Sequence, residues 1–419
     1  MPDRRLLADL RPLRKSAAYR RLWFGTTFSS LGSAMTNFAV ILQVYLRTHS
    51  SAAVGGVGLA IAVPSITFGL FGGTIVDAVD RRRLVLITQT CMMAVSVGLA
   101  AQAFAGGRVL WLLYALVAVE ALFASINAPA RRTFMPRLLP KDQIPAGAAL
   151  TMLTMHTSVL VGPLLAGLIV PVGGLKACYA IDAVSFLAAL YGVFRLPPMR
   201  PEGEPLRPGL RAVVDGLRFL GQSRVLTGVL LADMSATLLA MPIALFPAIN
   251  AERFGGSPRT LGLLNAGLAI GGLLATVFSG PVGRIRRPGL GVLVCGGIWG
   301  AALAAFGVVD GLFATMAFLI IAGVADVTSV VLRSTIIQLA SPDNYRGRIN
   351  AAEIIVGGSV PQLGNFRSGA VAQASTTTIS AASGGLAAIG GAALVALAFP
   401  ALVRYRVRSE INEAQPAHQ

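Results

Sequence analysis

The chain has 419 residues, of which 55% are hydrophobic and only 13% charged, with a mean hydropathy of +0.71. Soluble domains carry about a quarter charged residues, so this composition excludes an ordinary soluble enzyme or binding domain. A formal charge of +17 spread over a surface would suggest nucleic acid, but the arginines lie mainly at the chain ends and in the joins between apolar runs, and no nucleic-acid partner is expected.

Stretches free of Asp, Glu, Lys and Arg cover 22–46, 48–76, 84–107, 143–175, 260–283, 288–309 and 368–403. About 18 such residues suffice for a helix to cross hydrocarbon, so the chain reads as an all-α polytopic membrane protein. Residues 1–21 are basic and polar and lead straight into a full-length span, so no cleavable signal peptide is expected. The first span, 22–46, contributes Asn37 and Gln43. The second, 54–76, runs into a glycine-bearing end and a tight join that holds Gly73, Asp77, Asp80, Arg81, Arg82 and Arg83. The third is 84–106. The fourth, 110–130, carries Glu120, and the fifth, 146–170, carries His156, Gly162, Pro163 and Gly167. The sixth, 177–194, contains Asp182.

A proline-rich join, 195–224, then divides the chain into two halves of six spans. Within it, 210–220 reads either as an amphipathic helix lying at the membrane interface or as a plain tether. The seventh span, 225–246, carries Asp233. The eighth, 260–282, ends in a second glycine-arginine join with Gly280, Gly283 and Arg284, which repeats the one after the second span. The ninth is 290–309. The tenth, 311–338, holds Asp326 and Arg333, seven residues apart and too distant for a direct intrahelical ion pair. The eleventh, 350–371, holds Glu353 and Arg367, and the twelfth, 377–402, precedes a basic tail, 403–419. The expected domains are therefore an N-terminal bundle at 22–194 and a C-terminal bundle at 225–402.

With the N-terminus inside, 28 of the 35 lysines and arginines fall on the cytoplasmic side, which by the positive-inside rule puts both ends in the cytoplasm. The three cysteines, Cys91, Cys178 and Cys295, lie in apolar runs without CxxC spacing and read as small hydrophobes. Three scattered histidines give no metal site. Phosphate-loop, HExxH and nucleophile-elbow patterns are absent from the sequence, so no enzyme activity and no cofactor are expected.

An ionisable group within hydrocarbon is costly and is read first as functional. Glu120, Asp233 and Asp326 are the candidates for proton coupling, with Asp233 first because it lies about 13 Å along its span at 1.5 Å per residue. The join residues Gly73, Asp77, Arg81 and Arg82, with Gly280, Gly283 and Arg284 in the second half, form a candidate conformational latch. The small-residue face of Gly162, Ala166 and Gly167 is expected to pack against the other half.

The stretch 73–83 resembles the signature join between spans two and three of the major facilitator superfamily, with Ala78 and Asp80 departing from its pattern. The acidic variant resembles the branch that holds siderophore exporters and macrolide-type efflux proteins. So do Tyr19-Arg20-Arg21-Leu22-Trp23, the 146–154 stretch, the 162–167 stretch, 287–290 and 347–350. This likeness, over roughly 15–405, implies two pseudo-symmetric six-helix bundles, with spans one, four, seven and ten lining a central cavity. Asn37, Gln43, Glu120, Asp233, Asp326, Arg333 and Arg367 are then the cavity candidates. Gly162-Pro163 resembles an antiporter-type kink. The implied function is a proton-coupled secondary exporter of an enterobactin-like siderophore, in the bacterial inner membrane and monomeric. The alternative is a multidrug or macrolide antiporter. Its partners would be a small molecule, protons and the lipid bilayer.

Overall fold

The computed structural model describes residues 9–107, 109–199, 220–278, 280, 282, 285–341 and 343–406, without the side chains of 70–75, 77, 78, 343–348, 350–352, 354 and 355. Among the described residues every regular element is a helix. Short pieces α1 (Arg11–Lys15) and α6 (Met135–Leu138) flank α2 (Ala17–Thr48), α3 (Ser51–Ala78), α4 (Arg81–Phe104), α5 (Leu110–Arg132) and α7 (Ile144–Phe194). After the join come α8 (Arg224–Ala240), α9 (Phe246–Phe254), α10 (Pro258–Val277), α11 (Pro288–Val308), α12 (Leu312–Ala340), α13 (Asp343–Ala374), α14 (Thr377–Ala398) and α15 (Pro400–Arg404).

Side-chain caps set several of these starts. Ser16, Ser50, Asp80, Ser223 and Thr376 each accept a hydrogen bond from a backbone amide in the first turn, which satisfies a donor that the helix itself cannot. Nine of the described helices are long and apolar enough to cross a membrane, with Lys141–Phe194 counted as one. Ala17–Thr48 and Asp343–Ala374 stand outside that set because they carry more polar side chains, among them Asn37, Glu353 and Arg367.

One expected join is found as a sharp break, and one span ends earlier than expected. The fifth and sixth spans are two helices divided at Gly174, in the join expected between them; its φ of 71° and ψ of 177° interrupt the run Ile144–Phe194 with a conformation that no β-carbon tolerates readily. The helix runs on through Pro163. The seventh ends early, because Met241 precedes a proline and turns extended (φ −69°, ψ 122°). The chain then resumes through a turn at Ile243–Leu245 into α9. The proposed interfacial helix at 210–220 lies outside the described residues but for Leu220.

The helices pack as two sets. In the first, α2 and α4 lie on α7, and α3 and α4 on α5; in the second, α10 and α11 lie on α12, while α8, α11 and α13 pack with α14. The sets meet chiefly through two pairs, α3 with α13 and α7 with α10. At the end away from the arginine-rich joins, one apolar cluster crosses both sets, from Phe38, Leu99, Leu113 and Tyr179 to Phe246, Leu261, Phe306 and Leu319. At the basic end the described core is in separate pieces: Leu226, Val292, Ile336 and Leu402 in the second set, Val76, Val85, Phe134 and Val193 in the first, and a small group around Tyr19 and Leu150.

Candidate functional site

The two halves are sealed at the far end by glycines that bring backbones into contact. A β-carbon on Gly55 would stand 2.9 Å from the Asn365 carbonyl oxygen and 2.9 Å from Phe366 Cα. One on Gly262 would stand 2.8 Å from the Pro163 carbonyl oxygen and 3.5 Å from Leu164 Cα. One on Gly167 would stand 2.7 Å from the carbonyl oxygen of Pro258, the first residue of α10, and Gly369 abuts the carbonyl oxygen of Ser51, the first residue of α3. Two seams thus use one geometry, with Gly167 and Gly369 each touching the start of the opposing helix and Gly55 and Gly262 each four residues into it. Gly167 lies on a seam, and so does Pro163, whereas Gly162 packs within its own half, against Ala34 of α2. Toward the basic end the same four helices carry exposed residues: Val63 and Thr67 on α3, Thr151 and Met152 on α7, Val277 on α10, and Gly357 and Gly358 on α13.

Within the first set, the polar groups are closed into networks. Tyr19, Trp23 and Thr27, one helical turn apart on one face of α2, bond in order to the Gly147 carbonyl (3.0 Å), the Leu150 carbonyl (3.1 Å) and the Thr154 hydroxyl (2.9 Å) of α7. This ladder is the physical content of the stretches at 19–23 and 146–154. Gln43 is buried; it donates to Gln102 at 3.2 Å and accepts from the Tyr179 hydroxyl at 2.7 Å, so it sits inside the bundle and not in a cavity. Asn37 is exposed and Glu120 half-buried. Asp182 is wholly buried and is the hub of the set. It accepts from Ser33 (3.2 Å) and Thr36 (2.9 Å) on α2, from Ser96 (2.8 Å) on α4, and from Ser185 (3.5 Å) on its own helix.

The second set is organised by charge. Arg333, 5% exposed, is ion-paired to Asp233, 8% exposed. Its Nε stands 3.6 Å from Glu353 Oε1, and that same oxygen accepts a hydrogen bond from Ser334 at 3.0 Å. Helices α8, α12 and α13 therefore converge on one guanidinium. Asp326, half-buried on α12, is close enough to interact electrostatically with both Asp233 and Arg333. Arg333 thus finds its carboxylates on other helices, and no intermediary within α12 is needed. Glu353 had no role in the sequence reading; the signal was an acidic residue within the eleventh span, set against a basic one in the tenth. Arg367 donates to the Leu239 carbonyl, and Ser368 to that of Met241. These are acceptors set free where α8 breaks before Pro242, so Arg367 has a structural partner away from the Arg333 cluster.

Of the latch residues, Arg82 donates to the carbonyls of Phe194 (2.6 Å) and Val193 (3.4 Å) at the end of α7. Asp80, beside it, accepts from the amides of Arg83 (3.0 Å) and Met199 (3.1 Å). In this state the join therefore clips α4 to the end of its own half. Gly73 lies within α3, and nothing is described of the side chain of Asp77; Gly283 and Arg284 are outside the described residues, and the surroundings of Gly280 are open. No group of three metal-ligating side chains stands together among the described residues.

A sequence profile for the family described as transmembrane secretion effectors matches residues 7–417. Proteins named enterobactin exporter EntS, from Shigella boydii serotype 18 and from Escherichia coli O139:H28, are each 26% identical over 402 residues, which cover 96% of this chain and 96% of theirs. Among solved structures, a POT family transporter in complex with 5-aminolevulinic acid superposes with a TM-score of 0.75 at 11% identity, over 93% of this chain and 97% of that one. The nucleoside transporter NupG gives 0.69 at 13% identity, over 93% and 100%. A bacterial homologue of the iron transporter ferroportin, in an inward-facing state, gives 0.65 at 16% identity, over 93% and 99%.

Proposed function

Since the chain belongs to the transmembrane secretion effector family of the major facilitator superfamily, we propose that it exports a siderophore of the enterobactin kind from the cytoplasm by alternating access, coupled to proton entry. Its fold and relatives are those of multi-pass membrane transporters and not of enzymes. The observation that carries the proposal is the difference between its ends: one continuous core and two glycine seams at the far end, separate cores at the basic end. By the positive-inside rule the basic end faces the cytoplasm. The two bundles, 22–194 and 225–402, then open toward the compartment where the cargo is made, with both termini and the 195–224 join on that side.

The ion pair reorders the coupling candidates. Asp233 already has a counter-charge in Arg333, whereas Glu120 and Asp326 have neither a hydrogen bond nor an ion pair among the described residues. Burial without a fixed partner suits a group that takes up and gives back a proton during each cycle. We therefore assign coupling first to Glu120 and Asp326, with Asp233 holding Arg333 in place. The same two carboxylates are what favours the second reading, efflux of cationic amphipathic drugs.

The test is export in proteoliposomes under an imposed pH gradient, comparing enterobactin with the cationic dye ethidium. Gradient-driven movement of enterobactin, lost in Glu120→Gln or Asp326→Asn, is expected. Movement of ethidium alone would favour the drug reading, and enterobactin movement indifferent to the gradient would remove proton coupling.

A further inference from the structure

We propose that Arg333 is the docking point for an oxyanion of the cargo, a catecholate or a carboxylate, and that Glu353 is a placeholder which this oxyanion displaces. This rests on the exporter reading above and names the chemistry its site would recognise.

A guanidinium offers five donors in a planar fork, and burying it with donors unused is costly. Arg333 is 95% removed from solvent by its 5% exposure, yet its Nε has no hydrogen bond. Glu353 Oε1 is 3.6 Å from it, beyond hydrogen-bond reach. The two carboxylates on Arg333 are therefore unequal. Asp233 is in direct contact through Nη1, while Glu353 keeps its shorter bond, 3.0 Å, for Ser334. Glu353 can leave the guanidinium and retain Ser334, whereas Asp233 holds the fork in place. Asp326 is a third carboxylate near the cluster, coupled electrostatically to both Asp233 and Arg333.

Access comes from Gly357, one turn beyond Glu353 on the same face of α13. It is exposed, and a β-carbon there would lie 3.6 Å from Arg333 Nη2. Gly358 beside it has nothing within 4 Å of a β-carbon position. Neither glycine puts a side chain over the Nη2 edge of the guanidinium, which is 5% exposed in this state. An incoming planar oxyanion can engage that edge in the two-bond fork geometry that arginine presents to carboxylates.

The inference is tested with the purified full-length protein in lipid nanodiscs, by titrating enterobactin and, as a cationic control, ethidium. The double variant Asp233→Asn with Arg333→Gln removes the charge pair without leaving either partner alone. It should lose at least tenfold in enterobactin affinity and stay within twofold for ethidium. Gly357→Leu should weaken enterobactin about fivefold by covering Nη2, and Glu353→Gln should tighten it severalfold. If wild type binds enterobactin and the double variant binds it equally well, Arg333 is a structural ion pair and this inference alone fails. If wild type does not bind enterobactin, the siderophore reading and this inference fail together.

Discussion

The two halves handle a buried carboxylate in different ways. In the first, Asp182 is surrounded by four hydroxyls from three helices, and its carboxylate is held by neutral donors alone. In the second, Asp233 faces one arginine, itself shared with Glu353. Hydroxyl donors hold helices together without presenting any charge to a ligand. A shared arginine can change partners. The comparison assigns rigidity to the first half around Asp182 and exchangeable chemistry to the second around Arg333.

The largest expected effect breaks the ionic side of that comparison. Arg333→Leu leaves Asp233 buried and uncompensated and should cost about 3–5 kcal/mol, read as thermal unfolding in detergent. Adding Asp233→Leu should restore much of the loss, and an equal loss in the double variant would show that the pair is not the unit. Next, Asp182→Ala orphans its hydroxyls and should cost about 2–3 kcal/mol, while Asp182→Asn, which keeps an acceptor, should cost less. Equal loss in both would mean that charge, and not hydrogen bonding, holds that hub. At the seam, Gly167→Val and Gly369→Val should each weaken far-end closure about tenfold, near 1.4 kcal/mol, measured as faster thiol labelling of cysteines placed beside the seam. Smallest is Trp23→Phe, which removes one rung of the α2–α7 ladder at about 1 kcal/mol and should leave transport intact; a larger loss would mean the ladder acts as one unit.

Much of the fold was legible because its physics is local. Charge-free runs of membrane length and arginines gathered on one side require no knowledge of neighbours, and the packing of Gly167 against the other half followed from small residues on one helical face. Gly364 and Gly369 have the same five-residue spacing as Gly162 and Gly167, a repeat that the join motifs at 73–83 and 280–287 had overshadowed. The partners of the polar residues could not be read this way. Arg333 meets Asp233 across a separation of 100 positions in the sequence, and Asp182 gathers donors from α2 and α4 that no periodicity connects. Gln43 and Arg367 looked like cavity residues because each is polar in an apolar span. One is closed into a network with Tyr179, and the other satisfies a carbonyl released by Pro242, a need visible only once the break in α8 is known.

Alternating access about the glycine seams is tested most directly by a reversible bridge across the α7–α10 seam. Leu168 and Arg259 are exposed positions flanking the Gly167 contact, where a β-carbon on Gly167 would stand 3.3 Å from Arg259 Cα. Leu168→Cys with Arg259→Cys, joined by a short reducible cross-linker in proteoliposomes, should stop gradient-driven export, and reduction should restore it. Export at the unbridged rate while the cross-link is intact would contradict opening at this seam.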